Sequence, residues 1–153
     1  MLDHWKGRAI NMLEEHLPKA RQQIRIATGF FTVQGYNLIR RFVAGKLVKV
    51  MVGYDETSHE RLKQKLIDDI MLYLSKWSAT NRREAVLSLV AKLQRGEVEL
   101  VEQKTTEVFD ARIRSRDHGK VYIVDDDLVL SGSANLTESG LIHNAENLAA
   151  IIE

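Results

Sequence analysis

Ile24-Arg25-Ile26-Ala27-Thr28-Gly29-Phe30-Phe31 and, after a short gap, Leu47-Val48-Lys49-Val50-Met51-Val52 are the two runs that decide the fold. Both are apolar and rich in β-branched residues, which marks buried strands. Between them, the spacing over 36–43 predicts a short helix that ends near Gly45. Strand, helix and strand within 30 residues make a β-α-β unit, and that unit places the chain in the α/β class.

Working outward, Ile10, Leu13, Leu17 and Ala20 recur at helical spacing, so a first helix is expected over about 6–22, with Pro18 near its end. On the other side, Leu62, Leu66, Ile70, Leu74 and Trp77, then Val86, Leu89, Val90 and Leu93, predict two amphipathic helices that meet near 78–81. Their lysines and arginines belong to the solvated faces. Beyond Gly96 the pattern turns to short β-rich runs at 98–101, 108–113, 118–124, 128–131 and 147–152, which should extend one sheet. The expected architecture is a mixed β-sheet flanked by helices on both faces, in a single domain spanning residues 1–153. The abrupt end after the last strand reads as a module of a larger protein.

Composition narrows the function. At 153 residues and 44% hydrophobic, the chain can bury a core. A net charge of +1 excludes a histone-like polycation, so any nucleic-acid binding has to come from a local patch. There is no cysteine, which removes disulfides, thiolate catalysis and Cys-ligated metals and fits a cytoplasmic setting. No secretory signal, membrane-length apolar run or lipid anchor is read from the sequence, so no membrane partner is expected.

The chemistry gathers in the segment from Asp117 to Asn147. His118 and Lys120 lie two apart in an expected strand, so both side chains leave the same face. Imidazole can attack an electrophile or move a proton near neutral pH, and an ammonium can hold an anion. Asp125 has the opposite parity and reads as structural, with Asp126 and Asp127 in the same solvated turn. Three consecutive aspartates cannot all face one ion, so no metal site is expected there. A hairpin would return the next strand toward His118. There Gly132 permits close backbone approach, Ser133 and Asn135 offer hydrogen bonds, and Asn135 with Glu138 suggests a helix start that could bind phosphate. His4, His16, His59 and His143 have no such company and read as incidental.

These residues resemble the signature of the phospholipase D superfamily: His-x-Lys, four residues, Asp, six residues, then Gly-Ser-x-Asn. His118, Lys120, Asp125, Gly132, Ser133 and Asn135 match every fixed position, and fixed spacing makes the match specific. Glu146, in Asn144-Ala145-Glu146-Asn147, is similar to the family's downstream carboxylate, and Ala27-Thr28-Gly29-Phe30-Phe31 more loosely resembles an upstream segment.

The resemblance implies a metal-independent, cofactor-free phosphodiesterase. His118 would attack phosphorus, Lys120 and Asn135 would neutralise the equatorial oxygens with help from Ser133, and Glu146 would orient the imidazole. A second acid is needed for the leaving alkoxide. Short relatives with one motif supply it by pairing, so a homodimer with a shared site is implied. Compact relatives of this kind are mostly nucleases. Arg112, Arg114 and Arg116 share the parity of His118 and Lys120 and would form a cationic stripe for nucleic acid, DNA ahead of RNA. The upstream segment also resembles modules associated with helicase-like motors. The alternatives are a non-catalytic nucleic-acid-binding or dimerisation module and an enzyme acting on phospholipids.

Overall fold

A computed structural model describes residues 8–52, 59–75, 80–102, 120–143, 146 and 148–152. Helix α1 (Ala9–His16) runs into a 3-10 turn at Leu17–Lys19, where Pro18 takes a first-turn position that needs no N–H. Strand β1 (Gln23–Thr28), helix α2 (Val33–Ile39) and strand β2 (Leu47–Val52) form the expected parallel unit. Helices α3 (His59–Ser75) and α4 (Thr80–Gln94) then lead to β3 (Val98–Glu102). The second half supplies β4 (Lys120–Val124), β5 (Leu128–Gly132) and β6 (Leu148–Ile152), with a π-helical turn at Ser139–His143 before β6.

These strands make one six-stranded sheet in the order β3-β2-β1-β4-β5-β6. β1, β2 and β3 are parallel, whereas β4, β5 and β6 alternate in antiparallel pairs, so the sheet is mixed and β1 stands where the two halves meet. The run expected at 108–113 lies outside the described residues.

Along each strand the side chains alternate between two apolar layers. The larger joins Ile24, Ile26, Val48, Val50, Tyr122, Val124 and Leu130 to residues from α1, α2, α3 and α4. The smaller, on the other face, holds Ala27, Met51, Ile123 and Val129. The sheet with its helices agrees with the sequence reading, but among the described residues the helices share one face rather than two. Handedness explains this. The β1-to-β2 and β2-to-β3 connections step the same way across the sheet, and right-handed crossovers then lay α2, α3 and α4 on the same side.

One carboxylate closes the sheet at the β4–β5 turn. Asp125 adopts a left-handed backbone, with φ of 51°, which Asp tolerates better than most residues. Its Oδ2 accepts from the Arg21 N–H at 2.9 Å, and its Oδ1 from the Gln22 and Gln23 N–H groups at 2.9 and 3.1 Å. Its main-chain N–H donates to the Gln23 carbonyl at 2.9 Å, and Arg25 donates to the Asp125 carbonyl at 2.8 Å while pairing with the Asp126 carboxylate. Partial burial pushes the Asp125 carboxyl up, yet the three backbone donors and the charge of Arg21 outweigh it and hold the group below its ordinary range.

A lowered folded-state value means that this contribution is present above the unfolded carboxyl range near pH 4 and is lost as pH falls through the folded value. Asp125→Asn, which keeps a residue suited to positive φ, should therefore destabilise by about 1–2 kcal/mol at pH 7. Thermal melts from pH 7 to pH 2.5 should show the gap between variant and parent narrowing in acid.

Candidate active site

At the opposite end of β4 stand Lys120 and Gly132, with Ser133 and Asn135 just past β5. Lys120 opens β4 and is paired with Gly132, the last residue of β5, which in turn is paired with Leu148 at the start of β6. On its other side, Lys120 is one step beyond the Ala27–Val121 pair, so it neighbours the end of β1. It shares the parity of Tyr122 and Val124 and so faces the helical side of the sheet. Among the described residues the buried polar side chains are Thr28, 4% exposed, and Lys120, 8% exposed, and both belong to this end. An ammonium kept from bulk water acts on a nearby anion through a lower dielectric and so attracts it more strongly.

Asn135 is fixed by the end of β1. Its Oδ1 accepts from the Gly29 N–H at 2.9 Å, from the Phe30 N–H at 3.3 Å and from the Thr28 hydroxyl at 3.1 Å. With Oδ1 held by donors, the amide orientation is set and Nδ2 is the end left to donate toward a ligand oxygen. Thr28 does more: its Oγ1 accepts the buried Leu136 N–H at 3.0 Å and lies 2.8 Å from the Phe30 carbonyl, so its one proton is shared between that carbonyl and Asn135.

The remaining backbone of the loop is equally constrained. The Ala134 carbonyl accepts from the buried Tyr122 hydroxyl at 2.8 Å, and burial pushes that phenol far above its ordinary pKa, so it stays a donor. The Leu136 carbonyl accepts from the Thr32 N–H at 3.2 Å, next to the bridge between Phe31 and Leu136. Two glycines allow the approach. A Cβ on Gly35 would stand 2.1 Å from the Leu136 carbonyl oxygen, and one on Gly140 would stand 2.5 Å from that of Asn135.

The other sequence candidates fall as follows. Ser133 is exposed just past β5, and Glu146 lies half-buried two residues before Leu148, hence at this same end of the sheet. Asp125 is at the far end of β4 and takes no part here. His118, Arg112, Arg114 and Arg116 lie outside the described residues.

Two expectations need correction. Asn135 does not cap a helix, because its side-chain oxygen is taken by β1; Thr137 does so, accepting the Gly140 N–H at 3.0 Å. The turn that follows covers only five residues, Ser139–His143, too short for a helix-end phosphate site. His143, read as incidental, is oriented by Glu138, with Nε2 and Oε1 3.1 Å apart on the surface. Sequence reading also passed over Thr28 and Tyr122. Both sit at core-facing parity, where a hydroxyl must find a partner, and that was the available signal.

The fold and this end of it define an α/β domain with a buried cation and an oriented amide where the strand direction changes, a usual place for ligands in open sheets. Residues 13–153 match a family model described as "Cardiolipin synthase, PLD-like domain", and the chain therefore belongs to this phospholipase D-like family. A comparison with curated proteins found no match. Among solved structures the chain is similar to "NucT from Helicobacter pylori", with a TM-score of 0.49 and 17% identity, over 97% of this chain and 78% of that one.

Removing the Thr28 hydroxyl should expose how much the site depends on it. Thr28→Val keeps the shape but leaves the buried Leu136 N–H without an acceptor, which should cost about 1–3 kcal/mol. Gly140→Ala forces a Cβ against the Asn135 backbone and should cost a comparable amount. Denaturant melts would measure both, and a loss below about 0.5 kcal/mol in each would contradict the constrained loop.

Proposed function

We propose that the chain is a metal-independent phosphodiesterase that cleaves nucleic acid, DNA ahead of RNA, through a covalent phosphohistidine. The observation that carries this reading is a buried Lys120 at the end of the sheet where β1 orients the Asn135 amide. Membership of the phospholipase D-like family supports it, as does the full signature from His118 to Asn135.

In the first step the His118 imidazole attacks phosphorus, a P–N bond forms and the P–O bond to the leaving alkoxide breaks. Lys120 and the Asn135 Nδ2 balance the charge on the non-bridging oxygens, with Ser133 assisting, and Glu146 holds the imidazole as the nucleophilic tautomer. The alkoxide takes its proton from a second acid. In the second step that group, now a base, activates a water that breaks the P–N bond and releases the phosphate monoester.

The second acid is supplied by His118 of another copy, so the working form is a homodimer about a two-fold axis. The cationic run Arg112, Arg114 and Arg116 ahead of the motif supports a polyanionic substrate. Association with a helicase-like motor fits that substrate. The described helices include none long and apolar enough to cross a membrane.

Cleavage of DNA, RNA and a small diester in excess chelator is the test. Activity should persist without divalent metal, and His118→Ala should lower it by at least about a thousandfold while preserving fold and dimer mass. Retention of nucleic acid without turnover would favour a binding module. An active protein that sediments strictly as a monomer would remove the shared site.

A further inference from the structure

We infer that the cleft between α2, α3 and the loop after β5 is a subsite for a nucleobase bearing an exocyclic amine, cytosine or adenine, with Asp69 as its specificity-determining residue. This rests on the nucleic-acid reading above and goes beyond it by naming the bases accepted beside the cleaved phosphate.

The cleft encloses about 280 Å3. Thr32 and Gln34 at the start of α2 form one wall, and Asp69, Leu72 and Tyr73, which share a face of α3 at i, i+3 and i+4, form another. The third wall is the stretch from Thr137 to Ser139 after β5. These walls meet at the junction described above: the Thr32 N–H donates to the Leu136 carbonyl, and the Thr137 N–H donates to the Asn135 carbonyl at 2.8 Å. The cleft therefore opens two residues beyond the amide that would hold a phosphoryl oxygen.

Its polar groups are fixed in place yet not used up. The Asp69 Oδ2 accepts the Val33 N–H at 2.6 Å, while Oδ1 has no hydrogen bond among the described residues. The Gln34 Oε1 accepts from the Tyr73 hydroxyl at 2.8 Å and from the Asn37 Nδ2 at 3.5 Å, which leaves Nε2 as a donor. The Thr32 and Thr137 hydroxyls accept the Gly35 and Gly140 N–H groups, each at 3.0 Å, and each retains a proton to donate. The cleft thus presents a carboxylate acceptor and several donors around an apolar side formed by Leu72, which is 57% exposed.

Charge and size decide what fits. Asp69 and Glu138 line the cleft and no lysine or arginine does, so a phosphate is disfavoured there. A volume just under the ~300 Å3 at which pockets for drug-sized ligands begin suits one planar group and not a run of nucleotides. A nucleobase combines a flat apolar face for Leu72 with an edge that both donates and accepts. An Asp accepts from the exocyclic amine of cytosine, and adenine carries an amine of the same kind, whereas thymine and uracil present a carbonyl that a carboxylate repels.

The experiment compares oligodeoxycytidylate with oligodeoxyuridylate of equal length and charge, whose bases differ by an amine against a carbonyl. Parent, Asp69→Asn and Leu72→Trp proteins would be assayed on both for cleavage in excess chelator, and for binding by fluorescence anisotropy of end-labelled oligomers. The parent should favour the cytosine oligomer about tenfold in kcat/KM and in Kd. In Asp69→Asn the side-chain oxygen can still accept the Val33 N–H, and the new N–H2 in place of Oδ1 should erase the preference or reverse it toward uracil. Leu72→Trp, at a side chain already exposed, should fill the cleft and bring the ratio to one; it decides alone if Asp69→Asn fails to fold in a thermal melt. Equal handling of the two oligomers by the parent, binding of neither, or the parent's ratio retained in a folded variant would overturn the inference. If the parent cuts neither oligomer, the nuclease reading fails, and the Kd ratios still decide the cleft. Ethanolamine binding that Asp69→Asn abolishes, without discrimination between the oligomers, would reassign the cleft to a small cation and overturn the proposal.

Discussion

A single hydroxyl joins the end of β1 to the loop that follows β5. Thr28 ends β1, Leu136 lies in the loop between β5 and β6, and their hydrogen bond closes a separation of 108 residues. Asn135 is held in the same junction, so the position of its amide is decided by β1 and not by the local turn that carries it. Loop-closure entropy opposes contacts between segments this far apart, and the sheet has already met that cost through the β1–β4 pairing. The junction therefore adds short-range bonds to a frame that already holds both partners in register.

The two ends of β4 divide the work. At the β4–β5 turn, Asp125 gathers three backbone donors from the segment that enters β1, and Arg25 ties the turn to the strand itself. This is an anchor, and its charge is spent on the backbone. At the other end, Lys120 keeps its charge out of bulk solvent next to the end of β1. The strand between them is five residues long, roughly 17 Å at ordinary rise, so the anchored carboxylate is too distant to neutralise the buried ammonium. The signature thus sets a structural acid just past one end of the strand and a buried lysine at the other.

Much of this was legible in the sequence wherever one period or one breaker decides the local geometry. The bounds of β2, from Leu47 to Val52, follow from its apolar run, and the left-handed Gly45 marks the turn before it. Legibility ended where side chains replace the ladder. The apolar run through Phe31 overshoots β1 because the Gly29 and Phe30 N–H groups turn to the Asn135 side chain. Helix α2 begins before Tyr36 because Thr32 caps it and Gly35, a poor helix former, is needed against Leu136. The one-sided helices follow from strand order, which periodicity along the chain does not contain. In the site, the spacing of Lys120 and Asn135 was visible, whereas the partners that hold Asn135 lie more than 100 residues away.

Phosphoryl transfer asks little covalent chemistry of a protein and much positioning, since most of the charge develops on oxygens that must already face their donors. The loop after β5 has the rigidity that such a demand would require. From Ala134 to Leu136, backbone carbonyls and N–H groups are engaged by Tyr122, Thr28 and Thr32, and two glycines let α2 and the π-helical turn press against it from either side. Such a loop has little freedom to follow a moving ligand, so the ligand must conform to it. With a net charge of only +1, any attraction of a phosphate to this chain would be a local property. It would depend on how dry Lys120 is and on how firmly the Asn135 amide is aimed, the latter set by the junction with β1.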